Sequence, residues 1–235
     1  MSKILKVKIG LEHERMVFNR RTGRVANVRG KKQDILPHDT LSCLAETRGA
    51  PSFDAADAVL NFIQEQDRVD SLFNRKGFTL KHGEFTLTEE QAKDAYEQDE
   101  DKKEELDPNF NLVRGGGLHL HFSLMEDYYW ATSELFRTPE FIKLCVPELD
   151  TAVGRWIEGK SNYRRPGKWE VKPHGFEYRS LLWKGDSAEL LRITREALHT
   201  MTRCARSVTR MAEAVKKVAG PNWVSKDLFN DAVIG

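Results

Sequence analysis

Four short segments carry two chargeable residues separated by one position: Glu12/Glu14, Glu46/Arg48, His119/His121 and Glu177/Arg179. Each pair sits in an otherwise apolar run. Val7, Ile9 and Leu11 lead to the first pair, and Cys43 and Ala45 to the second. Leu118, Leu120 and Phe122 interleave the third, and Phe176 and Tyr178 flank Glu177 in the fourth. Side chains at i and i+2 share one face of a β-strand. Four such strands in one sheet would leave one face apolar, to pack under helices. The other would be studded with carboxylates, two imidazoles and two guanidiniums. Like charges gathered on one face are costly unless something neutralises them. A hard divalent cation held by glutamate oxygens, with phosphates recruiting the arginines, meets that demand, and Mg²⁺ is commonly held this way. Each pair taken singly has a plainer reading. Glu-x-Glu is often a solvated face, Glu-x-Arg a surface ion pair, and His-x-His equally a zinc pair. Recurrence on four strands favours a site.

The elements that must position these residues are legible from pattern. Ile4 to Met16 reads as a strand, followed by a turn at Thr22-Gly23. Leu41 to Arg48 is a second strand, ending at Gly49-Ala50-Pro51. Asp54 caps a helix running to about Phe73, with Ala55, Val59, Phe62 and Ile63 on one face. A variable, acidic insertion is expected at about 75–113, with a short helix opened by the capping-box pattern Thr88-Glu89-Glu90-Gln91. Leu118 to Leu124 is a third strand, entered through Gly115-Gly116-Gly117. Tyr128 to Ile157 is mainly helical, and Phe176 to Trp183 is a fourth strand. A long helix covers about 187–218. Its stripe of Thr194, Leu198, Met201, Ala205, Val208, Ala212 and Val215 suits packing on a sheet, with a coiled-coil partner as the other reading. No internal repeat or linker is evident, so residues 1–235 are expected to form a single domain.

Composition sets outer limits. The chain has 235 residues, 40% apolar and 31% charged, which describes a globular protein and excludes collagen-like and low-complexity classes. No apolar run approaches the ~20 residues of a membrane span, so no membrane partner is expected. The N-terminal MSKILKVKIG is too short and lysine-rich for a signal peptide. Three widely spaced cysteines point to a reducing, cytoplasmic setting. The net charge of +1 argues against a general nucleic-acid binder, yet the charges are uneven. Arg15 to Gln33 holds seven basic residues and no acidic one. Glu84 to Asp107 holds eleven acidic against three basic, and Lys160 to Lys184 seven basic against two acidic. Positive charge beside carboxylate motifs is what a phosphate-plus-metal site requires.

The motifs also resemble a known family. Gly115-Gly116-Gly117-Leu118-His119-Leu120-His121-Phe122-Ser123-Leu124 is similar to the Gly-rich, His-x-His strand of glutamine synthetases. Ile9-Gly10-Leu11-Glu12-His13-Glu14 resembles their Glu-x-Glu strand and Glu177-Tyr178-Arg179 their Glu-x-Arg strand. A closer resemblance is to the compact, phage-associated type 2 branch of glutamine synthetase-like carboxylate–amine ligases (amidoligases). There a Gly-Gly-His-x-His segment precedes an Arg/Gly-rich stretch ending in Gly-x-Glu-Tyr-Arg, here Tyr163 to Arg179. The motifs run in the family's order from residue 9 to about 183. Glu170 stands where another basic residue is expected, and Glu84–Asp107 has no recognised counterpart.

The resemblance implies an α+β fold, a curved, mostly antiparallel sheet with helices on one face, as in glutamine synthetase catalytic domains. It implies ATP- and Mg²⁺-dependent amide formation through an acyl phosphate, with two or more ions and Mn²⁺ as a substitute. Carried over by position, Glu12, His119 and Glu177 hold one ion, and Glu14 and Glu46 the second. His121 lies by the nucleotide or supports its neighbour. Arg179, with Arg164 or Arg165, steadies the transferring phosphoryl group, with Lys172 as a further phosphate ligand. Arg48 anchors the substrate carboxylate, near Glu46. His38 and Asp39 are candidates for the base on position alone. The partners implied are a small-molecule or peptide carboxylate and an amine acceptor, with assembly into a homo-oligomer left open; a phage-encoded protein would act in host cytoplasm. His13, between the two glutamates, is expected to be packed or solvent-facing, and His174 a loop residue. Two other readings compete: a zinc hydrolase built on the His-x-His strand, and a non-catalytic binding protein on a decayed ligase scaffold.

Overall fold

The structure, a computed structural model, describes residues 6–28, 36–37, 43–91, 113–124, 136–157 and 165–219. Its strands are β1 (Val7–Asn19), β2 (Leu44–Arg48), β3 (Phe78–Lys81), β4 (Glu84–Thr86), β5 (Val113–Gly115), β6 (Gly117–Leu124), β7 (Trp169–Lys172) and β8 (Gly175–Leu182). Three long helices join them: α1 (Ala55–Arg75), α2 (Pro139–Val153) and α3 (Ser187–Ala219). The main sheet runs β2-β1-β6-β8-β7, with β3 also paired to β1, and every pairing is antiparallel. β4 and β5 form a separate two-stranded sheet. The class is α+β, as expected.

Alternation decides which way the sheet faces. In β1, Val7, Ile9 and Leu11 join the main core, so Glu12 and Glu14 project from the opposite face. Leu118, Leu120 and Phe122 of β6 and Phe176 and Tyr178 of β8 line the same core. A bulge interrupts the β6–β8 register: Arg179 and Ser180 together span the place opposite His119. The bulge shifts the core-facing phase of β8 from Phe176 and Tyr178 to Leu181 and, past the strand end, Trp183.

Helices cover the apolar face. α1 is capped by Asp54, whose carboxylate accepts from the backbone N–H of Ala56 at 2.7 Å and Asp57 at 3.1 Å. It buries Ala58, Val59 and Phe62 in the main core, and Val69 and Phe73 in a second cluster with Val17 and Ala45. α2 begins with Pro139, suited to a first helical turn, and buries Phe141, Ile142, Cys145, Val146, Leu149 and Val153. α3 lies against both, burying Leu190, Ile193, Ala197, Met201 and Ala205. Thr194 and Leu198 of the expected stripe flank that line; Thr194 returns its hydroxyl to Leu190 O at 2.7 Å. Over these residues the stripe packs on the sheet. Tyr178 ties β8 to α2 through a 2.5 Å bond donated to Asp150 Oδ1.

The helix-facing side of β1 also carries His13 and Arg15. Arg15 is fully buried, donating to Asp70 Oδ1 at 2.6 Å and Thr47 Oγ1 at 3.2 Å. His13 is packed, stacked on His82 and edge-on to Trp183, each at 5.0 Å between ring centroids.

The structure departs from the sequence expectations in three places. β1 starts and ends three residues later than Ile4 to Met16. The expected insertion contributes strands β3 and β4, the first of them in the main sheet, and leads into β5; the expected capping box at its Thr88 is present, with Gln91 N–H donating to Thr88 Oγ1 at 3.1 Å. β7 occupies the Arg/Gly-rich stretch, where no strand was expected. These strands have three or four residues, too short for periodicity to detect. The core of the acidic stretch, 92–112, lies outside the described residues. Among the described residues, no helix is long and apolar enough to cross a membrane.

Candidate metal centre

The four motif strands are consecutive neighbours in the sheet, so their polar pairs form one row. The register sets Glu14 opposite Glu46 and Glu12 opposite Arg48 on β2, Glu12 opposite His119 on β6, and His121 opposite Glu177 on β8. β7 adds a fifth pair of the same spacing, Glu170 and Lys172, with Glu170 opposite Glu177. Two glycines allow the close backbone approach this row needs. A Cβ on Gly116 would lie 1.9 Å from the carbonyl oxygen of Glu14, and one on Gly175 would lie 2.0 Å from that of Phe122.

At the centre, His119 Nδ1 is 2.9 Å from Glu12 Oε1 and 2.6 Å from Glu177 Oε1, while its Nε2 is 3.9 Å from Glu14 Oε1. All four residues are buried. One imidazole nitrogen carries at most one proton and cannot satisfy two carboxylates together. Correspondingly, Glu177 Oε1 is buried and makes no hydrogen bond among the described residues. A cation between these groups resolves that conflict. One ligand atom from each of Glu12, His119 and Glu177 falls within 4.8 Å of the others. Two carboxylates and one imidazole suit a hard or borderline divalent ion such as Mg²⁺ or Mn²⁺. The residues therefore fit a metal.

Cations already flank the centre. Arg48 Nε lies 2.8 Å from Glu12 Oε2 and also pairs with Glu46. Lys172 Nζ is 2.8 Å from Glu177 Oε2 and 3.0 Å from Glu170 Oε1. Burial works to raise the Glu12 carboxyl, but hydrogen bonds and charge from His119 and His121 prevail and hold it far below the usual carboxylate range. Burial likewise opposes ionisation of Glu177, yet His119, Lys172 and Arg179 bring it down to about 2. For Arg48 and Lys172 burial disfavours the charge, and the neighbouring glutamates outweigh it and raise both groups. Glu12 and Glu177 are thus held ionised, as ligands to a cation must be.

The remaining expected residues are distributed around this centre. His121 Nε2 is 3.2 Å from Glu12 Oε2, and its Nδ1 is 3.4 Å from His174 Nε2. His174 lies in the β7–β8 turn, where burial, His121 and Lys172 lower its affinity for a proton. Glu14 and Glu46 face each other but are not part of the converging triad. Arg179 Nη1 pairs with Glu170 Oε2 at 2.6 Å. Arg165 is exposed ahead of β7, while Arg164, His38 and Asp39 lie outside the described residues. Sequence reasoning did not place Glu170 or His174 in the site. The signal for Glu170 was present, since Trp169-Glu170-Val171-Lys172 repeats the i, i+2 rule of the other strands. Open cavities adjoin both ends of the row. One of about 630 Å³ is lined by Arg48, Asn61, Gln64 and Arg68, and one of about 520 Å³ by Arg137, Val171 and Lys172.

No family model matches the chain, and no curated protein does. Among solved structures, the chain is similar to the crystal structure of a novel glutamine synthase homolog, with 12% identity and a TM-score of 0.43. That likeness covers 86% of this chain and 54% of the other, so the chain spans about half the length of the structure it matches.

Proposed function

We propose that the chain is an ATP- and Mg²⁺-dependent carboxylate–amine ligase of the glutamine synthetase-like amidoligase type, acting as a single catalytic domain. The observation that carries this reading is the convergence of Glu12, His119 and Glu177 within 4.8 Å on a buried sheet face, flanked by Arg48, Lys172 and Arg179. The ordered motifs from Glu12 to Arg179 support it. Glu12, His119 and Glu177 would hold one ion, and Glu14 and Glu46 a second. When bound, Mg²⁺ neutralises the phosphates so that they can approach a carboxylate.

The chain's own residues would do the rest by position and charge. Arg48, paired with Glu12 and Glu46 yet 69% exposed, can turn to take the substrate carboxylate. Arg179, with Arg164 or Arg165, would steady the transferring phosphoryl group through bidentate contacts. Lys172 and His121 would face the nucleotide. A carboxylate oxygen attacks the γ-phosphorus and ADP leaves. An amine nitrogen then attacks the acyl carbon, giving up a proton as phosphate departs, and an amide forms. The carboxylate is a small molecule or peptide and the acceptor an amine.

The test is ADP release from Mg-ATP across a panel of carboxylates, with hydroxylamine as the acceptor. Hydroxamate equal to ADP for at least one carboxylate is the expected result. Absence of ADP with every carboxylate, together with absence of Mg-ATP binding by calorimetry, overturns the assignment.

A further inference from the structure

Glu170 and Glu177 stand directly opposite each other on β7 and β8. Facing carboxylates repel, and here two cations are threaded between them. Glu170 Oε1 is 3.0 Å from Lys172 Nζ, and its Oε2 is 2.6 Å from Arg179 Nη1. The same cations reach Glu177, Lys172 Nζ at 2.8 Å from Oε2 and Arg179 Nε at 3.4 Å from Oε1. The two carboxylates are not equivalent. Glu177 is 2% exposed, held between His119 and its own strand partners, whereas Glu170 is 46% exposed on an edge strand. Lys172 and Arg179 are 27% and 31% exposed, so solvent reaches both. Of the four groups, Glu170 is the most exposed to water.

We infer that Glu170 is a built-in occupant of an oxyanion site: its carboxylate bridges Lys172 and Arg179 until a phosphate group displaces it, and so sets how strongly this end of the row binds polyphosphate. The inference rests on the phosphate-binding reading of the site and adds to it a competing anion supplied by the chain itself. The exchange is chemically even-handed, because carboxylate and phosphate oxygens present similar paired acceptors to a guanidinium. It favours the incoming group, because a polyphosphate brings several negative charges where Glu170 brings one. The side chain released is an exposed one, whose ion pairs are individually weak. This is also a role for the acidic residue that stands where the family resemblance leads one to expect a base.

Calorimetric titration with inorganic tripolyphosphate, with and without Mg²⁺, tests this without requiring turnover. Glu170→Gln is expected to bind about three- to tenfold more tightly than the parent protein, the range of two weak, partly exposed ion pairs removed plus one repulsion relieved. Glu170→Asp, which keeps the charge, is expected to stay near the parent, and Lys172→Gln to bind more weakly. Equal melting temperatures of parent and Glu170→Gln would show that the change is not one of folding. Unchanged or weaker binding in Glu170→Gln overturns the inference, as does absence of tripolyphosphate binding in both proteins. Tighter binding in Glu170→Gln with no ADP release on any carboxylate would uphold the gate while counting against the ligase.

Discussion

At His119 a single ring nitrogen stands between two carboxylate oxygens, 2.9 Å from Glu12 and 2.6 Å from Glu177. Both neighbours are buried on strands inside the sheet, Glu12 on β1 and Glu177 on β8. A second buried charge shows the same logic without a metal. Arg15 reaches Asp70 at 2.6 Å, and its own side chain is 2% exposed. Removing Asp70 strands a buried guanidinium. Asp70→Ala is therefore expected to cost about 2–3 kcal/mol in urea unfolding, somewhat below a fully buried pair because Asp70 is partly solvated. Adding Arg15→Met to that variant should recover much of the loss. Tyr178→Phe removes the bond to Asp150 and is expected to cost about 1–2 kcal/mol by the same measurement.

At the scale of elements, the site depends on how closely β6 approaches β1. Gly116→Ala would push a Cβ into the Glu14 carbonyl and move the entry to β6. Its expected result is at least a tenfold loss of Mn²⁺ affinity, seen by titration, with some loss of stability. The strands bearing Glu12, Glu46, His119 and Glu177 were legible because polar pairs at i, i+2 interrupt long apolar runs. α1 and α3 were legible from their 3.6-residue periodicity and, for α1, the cap at Asp54. β7 was missed although Trp, Glu, Val and Lys alternate as a strand does, because four residues between Gly167 and Pro173 are too few for that alternation to stand out from a loop. The burial of His13 and Arg15 was only half legible. Alternation places them away from Glu12 and Glu14, but nothing local reveals that Asp70 and His82, more than fifty residues on, will meet them there.

For the whole molecule, the near-zero net charge is a sum of unlike parts. On the sheet face, Arg48, Lys172 and Arg179 bracket the buried carboxylates, which accounts for basic residues near β2 and β8 without a generally basic surface. The opposite side contributes a pH dependence. Burial and the nearby Arg15 push His82 below its ordinary value, against a smaller opposing effect of Asp70. A group whose folded value is depressed stabilises the fold fully above its unfolded value of about 6.5, and the contribution is lost as pH falls toward the folded value. Urea midpoints should therefore decline below about pH 6.5, and His82→Phe should flatten that decline. A midpoint profile identical in the variant would remove His82 from this role.

Glu12, His119 and Glu177 are proposed to hold one metal ion among them. Titration with Mn²⁺, followed by electron paramagnetic resonance of the free ion, addresses it directly. Saturable binding that Mg²⁺ competes for, weakened at least tenfold in each of Glu12→Gln, His119→Asn and Glu177→Gln, is the expected result. Binding that persists unchanged in all three variants, or stoichiometric zinc that Mg²⁺ cannot displace, would contradict it.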